Sequence, residues 1–459
     1  MLAVAGVLCL AFGSRGYTEP AAHRAVGLSN APLATPLWSP RRVPALFGHA
    51  VAAANLQRRL AAITAPYPGC VSVDTEAGPV ARVGAGRAFA GASTQKLLTA
   101  AAALAVLGAH HRFETRAVSD ATVAGGVLAG DLTIVGGGDP VLTSASAPSR
   151  PGAPSTSLAD LADAIVRAGV HRIDGALVAD DSRYGRERSV PDWSASEVAQ
   201  GDAVAIGALI VDGARGDDGR ADPDPALTTV QKLATLLEAR GVDIANGVSD
   251  PARAASDRSH EIAKVQSPPL AAILEQMLTV SNNETAELLA REVGLVRGGA
   301  GTTAAGAREI PAVLARVGVP VAGVTLHDGS GLAPDDRVTC EALSAVVALG
   351  TQARFATIGS GLAIAGRSGT LAGRFVGTSL AGRLRAKTGH IDGAVGLAGI
   401  VAARPSGGVR AGSVDIRFAF LANGNFSTAT GENLQDQIAE AIGEYVDAPV
   451  TPNAVPAPL

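Results

Sequence analysis

Hydrophobic positions along this chain alternate between two periods, and the balance of the two changes near residue 112. VSVDTEAG (71–78) alternates apolar with polar and ends in turn residues, which predicts a strand and turn. Gln95 to Leu107 is apolar almost all round, which predicts a buried helix, and Gly108 is placed to end it. From about 112 to 260 the segments shorten. FETRAVSD, GGVLAGDLTIVGGGDPVLT and RIDGALVADDSRYG predict strands with Gly and Asp turns, while LADLADAIVRAG and TTVQKLATLLEARGV predict helices between them. Longer helical patterns return after 265, with LAAILEQMLTV and NETAELLAREVG on either side of Ser281. LAGRLRAKTGHIDGAVGLAGIVAA and VDIRFAFLANG predict neighbouring strands, and LQDQIAEAIGEYV a closing helix. This order predicts an α/β (α+β) core, residues 46–111 and 263–447, split by an inserted α/β domain over 112–262.

The ends read differently from the core. Residues 1–13 are uncharged and mostly apolar, and a Pro-rich linker follows to residue 45. That pattern predicts export to the cell envelope, with the apolar segment either cleaved or kept as a membrane anchor. Residues 448–459 predict a flexible tail. Cys9 falls in the apolar segment, so Cys70 and Cys340 either pair, as an exported chain allows, or stand as separate buried thiols. No His or Cys spacing suits a metal, and no cofactor is expected. The net charge of −4, without a basic block, excludes nucleic acid as a partner.

Charge type is more informative than charge number. Only four of the 38 basic residues are lysine: Lys96, Lys232, Lys264 and Lys387. Arginine keeps its proton, whereas lysine can be tuned to release one, so proton chemistry is sought at the lysines. Lys232 and Lys264 carry no motif and are expected at the surface. Ser93 and Lys96 lie three apart at the start of the predicted buried helix, which places hydroxyl and amine on one face. Serine needs a base to become a nucleophile, and a buried lysine can be that base. Ser281-Asn282-Asn283 lies in a break between two helices and can relay a proton or grip an amide. Ser281 can equally be a helix cap, with Glu284 three residues on. Lys387-Thr388-Gly389 stands in a strand-like run, where lysine supplies fixed charge, threonine binds a carboxylate and glycine lets substrate approach. An extended peptide can pair with that strand edge. Arg367-Ser368-Gly369 has a similar shape but is rejected, because its arginine cannot become neutral.

The ordered set Ser-x-x-Lys, Ser-x-Asn, Lys-Thr-Gly resembles that of the penicillin-recognising acyl-transferases. The long interval from Lys96 to Ser281 narrows the likeness to the class C low-molecular-weight penicillin-binding proteins, the D-alanyl-D-alanine carboxypeptidases typified by penicillin-binding protein 4. GDLTIVGGGDPVLT and HDGSGLAPDDRVT are similar to further stretches of that family. The resemblance implies a β-lactamase/transpeptidase-like fold, an antiparallel sheet flanked by helices. It implies that Ser93 forms the acyl-ester, Lys96 accepts its proton and Ser281 passes a proton to the leaving amine. Asn283 would hold the substrate amide, and Lys387 and Thr388 its carboxylate. Backbone N–H groups of Ser93 and His390 would form the oxyanion hole. Asp139, in the Gly-Asp-Pro turn, would contact substrate or simply shape a turn. The implied substrate is a peptidoglycan stem peptide ending in D-Ala-D-Ala, with β-lactams as acylating partners and endopeptidase action as an extra activity. A β-lactamase or esterase on the same scaffold, and a catalytically silent cell-wall-binding protein, are the other readings.

Overall fold

The computed structural model describes residues 44–447 apart from 145–151, 195–197, 199–200, 217, 251 and 404–414, with side chains from residue 50 onward. The expectations for residues 1–13, for most of the 14–45 linker, for Cys9 and for the tail lie outside the described residues. The contacts described below lie within the unit His49–Pro449.

Along the chain, α1 (Pro44–Thr64) precedes β1 (Gly69–Thr75) and β2 (Gly78–Val83), and a 3-10 turn, Ala92–Gln95, leads into α2 (Lys96–Leu107). Then come β3 (Glu114–Ser119), β4 (Leu132–Val135), α3 (Leu158–Arg167), β5 (Leu177–Asp180), α4 (Pro225–Glu238), β6 (Val248–Ser249) and β7 (His260–Gln266). Helices α5 (Leu270–Val280), α6 (Asn283–Gly298), α7 (Thr303–Arg316) and α8 (Cys340–Leu349) follow. The chain closes with β8 (Ala363–Ile364), β9 (Leu384–Ile391), β10 (Ala394–Val401), β11 (Ile416–Asn423) and α9 (Thr428–Asp447).

Two larger sheets divide the strands. Strands on both sides of the 114–266 stretch form one antiparallel sheet in the order β8-β9-β10-β11-β1-β2. The second sheet, β6-β5-β4-β3-β7, is made wholly within that stretch. Strand β7 runs past the expected boundary at 262, because Lys264, Val265 and Gln266 pair with Arg116, Thr115 and Glu114. The run expected to pair as one unit with VDIRFAFLANG is itself two strands, β9 and β10, turned by Asp392-Gly393, a dipeptide suited to tight hairpins.

Strand periodicity sorts the core into two layers. In β11, Phe418, Phe420 and Ala422 join a cluster with Leu60 of α1 and Ile438 and Ile442 of α9. Ala419 and Leu421 point the other way, into a cluster with α2, α5, α6 and α8. Helix α2 is the centre of that layer: Lys96 through Leu104 are all buried, as its all-round apolar pattern predicts. Cys70 of β1 and Cys340 of α8 form a disulfide with Cα atoms 6.0 Å apart. It fastens sheet to helix across 270 residues of sequence, a loop for which chain entropy gives about 5 kcal/mol. Asp139 is a turn residue: buried, it accepts bonds from Val141 N (2.9 Å) and Thr156 Oγ1 (2.5 Å).

Candidate active site

The nucleophile candidate rests on a bed of two glycines. Gly389 of β9 and Gly396 of β10 are register partners beneath the Gly91–Gln95 turn. A Cβ at Gly389 would stand 2.8 Å from Gly91 O and 3.0 Å from Thr94 N, and one at Gly396 2.9 Å from Thr94 Cγ2. Glycine at 389 is therefore required by the turn that carries Ser93. Gln435 of α9 donates to both carbonyls, at 3.0 Å to Gly389 and 2.8 Å to Gly396.

The turn itself is tight. Ala92 has a left-handed φ of 45°, which costs an alanine about 1 kcal/mol, and Thr94 Oγ1 donates to Gly91 O at 2.6 Å. Ser93 consequently sits on a 3-10 turn, and the α-helix begins at Lys96, one residue after the start of the apolar run that predicted it. Ser93 is partly open while both its neighbours are buried.

Lys96 is fully buried and donates to three acceptors: Ser93 Oγ (2.8 Å), Asn283 Oδ1 (2.6 Å) and the Ser330 carbonyl (2.8 Å). Burial pulls its pKa down to about 8, against the raising pull of Asp328, Glu287, Asp202 and Asp336. A protonated amine uses all three N–H bonds on these partners. A neutral one keeps two N–H groups for the two pure acceptors, Asn283 Oδ1 and Ser330 O, which leaves its lone pair for the Ser93 proton.

Ser281 and Asn283 reach the site from opposite sides of a sharp bend. Ser281 ends α5 in the left-handed conformation (φ 64°), and Asn282 caps α6 by accepting from Thr285 N at 2.7 Å. The capping role that sequence allowed for Ser281 therefore belongs to its neighbour, and the strained residue is turned to Lys387 instead. Asn283 Nδ2 is fixed by the Asp202 carbonyl at 2.9 Å, which orients Oδ1 toward Lys96.

Lys387 is likewise fully buried, donating to Ser281 Oγ and to the Thr388 carbonyl, both at 2.8 Å. Burial, and then the charge of Lys96, push its pKa well below the usual lysine range. Thr388 Oγ1 donates to Thr370 Oγ1 at 2.8 Å. The rejected Arg-Ser-Gly stretch lies beside the site after all, through the threonine that follows it. A cleft of about 320 Å³ opens between Ser93, Ser281, Asn283, Thr388, His390 and Asp392, with the His390 side chain exposed at it.

Of the eight residues singled out from sequence, Ser93, Ser281, Asn283, Thr388 and His390 line this cleft, Lys96 and Lys387 bond to its serines, and Gly389 lies below. The Ser330 carbonyl was missed because a backbone group has no sequence signature. Glu287 had one: four residues after Asn283 on α6, it shares that residue's face. Lys232 is not an ordinary surface residue, since it is largely covered and paired with Asp212 at 2.9 Å; Lys264 is at the surface as expected. Among the described residues no group of side chains could hold a metal ion.

Residues 69–222 and 213–445 match the model of the D-Ala-D-Ala carboxypeptidase 3 (S13) family. This chain belongs to that family. It is 30% identical to the D-alanyl-D-alanine carboxypeptidase of Actinomadura sp. strain R39, over 84% of this chain and 82% of that protein. With a carboxypeptidase of Mycobacterium tuberculosis it shares 33% identity, over 76% and 74% of the two chains. Its fold is similar to the crystal structure of penicillin-binding protein 4 from Haemophilus influenzae: TM-score 0.70 at 20% identity, covering 83% of this chain and 98% of that one. The resemblance drawn from the three motifs holds at the level of family and fold. As an S13 member the chain is a D-Ala-D-Ala carboxypeptidase, a hydrolase acting on the cell wall.

Proposed function

We propose that this S13 carboxypeptidase trims peptidoglycan stem peptides through an acyl-enzyme on Ser93. In this mechanism Ser93 Oγ attacks the carbonyl between the two terminal D-alanines while its proton passes to neutral Lys96. The tetrahedral oxyanion is held by the backbone N–H groups of Ser93 and His390. The C–N bond then breaks, a proton reaches the leaving nitrogen through Ser281, and D-alanine departs. Water hydrolyses the ester and restores Ser93. Asn283 holds the substrate amide, and Lys387 and Thr388 take the terminal carboxylate. A carboxylate arriving beside Lys387 favours its charged form. Lys387–Ile391 of β9 have no strand partner on the side away from β10 among the described residues, which suits pairing with an extended peptide.

The observation that carries this reading is the 2.8 Å contact of Ser93 Oγ with a buried amine whose pKa lies near 8. A β-lactam offers the same acyl carbonyl and carboxylate, so the enzyme is acylated by penicillin, and a crosslinked peptide offers the bond that an endopeptidase cuts. Residues 46–111 and 267–447 would constitute the catalytic domain, with the insertion running from 112 to Gln266, the end of β7. The apolar N-terminus would direct export or anchor the enzyme at the envelope; no described helix is long and apolar enough to cross a membrane. The test is labelling with fluorescent penicillin, with Ser93→Ala as control. Wild type should label and then release D-alanine from pentapeptide, and the variant should do neither. Labelling of the variant, or none of wild type, overturns the mechanism, and rapid turnover of the penicillin adduct would favour a β-lactamase.

A further inference from the structure

The Asp-Gly-Ser-Gly run at 328–331 belongs to none of the three motifs, yet it supplies the third partner of Lys96. Its geometry is built with unusual care for a surface-type turn sequence. Asp328 is fully buried and gathers five donors. Oδ1 accepts from Gln95 Nε2 (3.0 Å) and Gly331 N (2.6 Å); Oδ2 accepts from Trp193 Nε1 (2.9 Å), Ala333 N (2.8 Å) and Ser330 Oγ (3.3 Å). A carboxylate, acceptor-only with about four lone-pair directions, suits such a set; an amide would turn N–H groups against N–H groups.

The same turn is pinned to both helices that form the site. Thr99 Oγ1, one turn beyond Gln95 on α2, donates to the Gly329 carbonyl at 2.6 Å. Glu287 of α6 accepts from Gly329 N (3.0 Å) and Ser330 N (2.7 Å). Both glycines are sterically required: a Cβ at Gly329 would lie 2.6 Å from Ala286 O, and one at Gly331 2.1 Å from the carbonyl of Ala92, beside the nucleophile. What this anchoring produces is one aimed group, the Ser330 carbonyl at 2.8 Å from Lys96 Nζ.

We infer that Asp328 is a positioning residue for the proton transfer: it holds the Ser330 carbonyl that orients the Lys96 amine and, through Gln95, the turn that carries Ser93. The inference rests on the acyl-enzyme reading above. Its physical content is that a neutral amine can rotate about its last C–N bond. Two fixed acceptors, Asn283 Oδ1 and Ser330 O, prevent that and keep the lone pair on Ser93. Trp193 adds a link to the long segment between β5 and α4, whose Asp202 carbonyl fixes Asn283. One carboxylate thus ties together the turn at Ser93, the turn at Ser330 and Trp193.

The experiment separates positioning from mere folding. Penicillin labelling is resolved into the dissociation constant of the first, noncovalent complex and the acylation rate constant. Asp328→Asn should slow acylation about tenfold or more, by loss of charge-assisted hydrogen bonds, while the dissociation constant stays within about twofold, since Lys387 and Thr388 are untouched. Trp193→Phe, which removes a single donor, should slow acylation about threefold with the same unchanged binding. Thermal unfolding shows whether each variant is folded. A folded Asp328→Asn that acylates at the wild-type rate, or that loses binding and acylation in proportion, overturns the inference. If that variant does not fold, Trp193→Phe decides: undiminished acylation refutes it. Failure of wild type to label would instead refute the acyl-enzyme reading, a separate result.

Discussion

Lys96 and Lys387 are both fully buried and each donates to a serine hydroxyl at 2.8 Å, yet the charges around them differ. Around Lys96, the carboxyls of Asp328, Glu287, Asp202 and Asp336 oppose the effect of burial and leave its pKa at about 8. Among the described residues no carboxylate plays that part for Lys387, and the charge of Lys96 adds to burial in pushing its pKa down. Burial alone does not define a lysine's role; the acids buried with it do. At Lys96 burial and nearby acids pull in opposite directions, whereas at Lys387 burial and a neighbouring charge pull the same way.

The largest test of that contrast is Lys96→Arg, which keeps charge and removes the base; acylation by penicillin should fall about a thousandfold. Lys387→Arg keeps a cation for the ligand carboxylate but must fit a larger group into a buried slot, and should cost about ten- to hundredfold. Equal losses in the two variants would erase the distinction. Next in size is the response to pH. The acylation rate constant should rise as pH passes through about 8, because the neutral form of Lys96 is the base. Affinity for the carboxylate ligand should fall as pH rises, because Lys387 must carry a proton to bind it. Rate and affinity that move together in a pH titration would show one titrating group in place of two. The smallest effect is expected from Thr370→Val, which removes the partner of the Thr388 hydroxyl; affinity should weaken about fivefold with the acylation rate constant unchanged. A change in rate would place Thr370 closer to the chemistry than its contact implies.

Much of this molecule was readable from residue order. The apolar run Gln95–Leu107 marked a buried helix, VDIRFAFLANG marked a strand, and the three spaced motifs marked the site. What escaped was local and geometric. Sequence offered Ser281 as a cap, but the bend gave that task to Asn282 and left Ser281 in a strained conformation facing Lys387. Asp392-Gly393 divided one expected strand into two because a two-residue turn needs only two residues to announce it. Cys70 and Cys340 were open to either pairing or separation, since 270 residues carry no information about distance until the sheet is folded.

By itself the sequence determined which chemistry was available: a scarce lysine three residues after a serine, and two further motifs in a set order. Tertiary structure decided how that chemistry is tuned. The pKa of Lys96 depends on acids drawn from distant positions, its orientation on a backbone carbonyl at Ser330, and the place of Ser93 on two glycines that meet only across a strand pair. Residue type is local, whereas desolvation, charge and close contact depend on what the folded chain brings within a few ångströms.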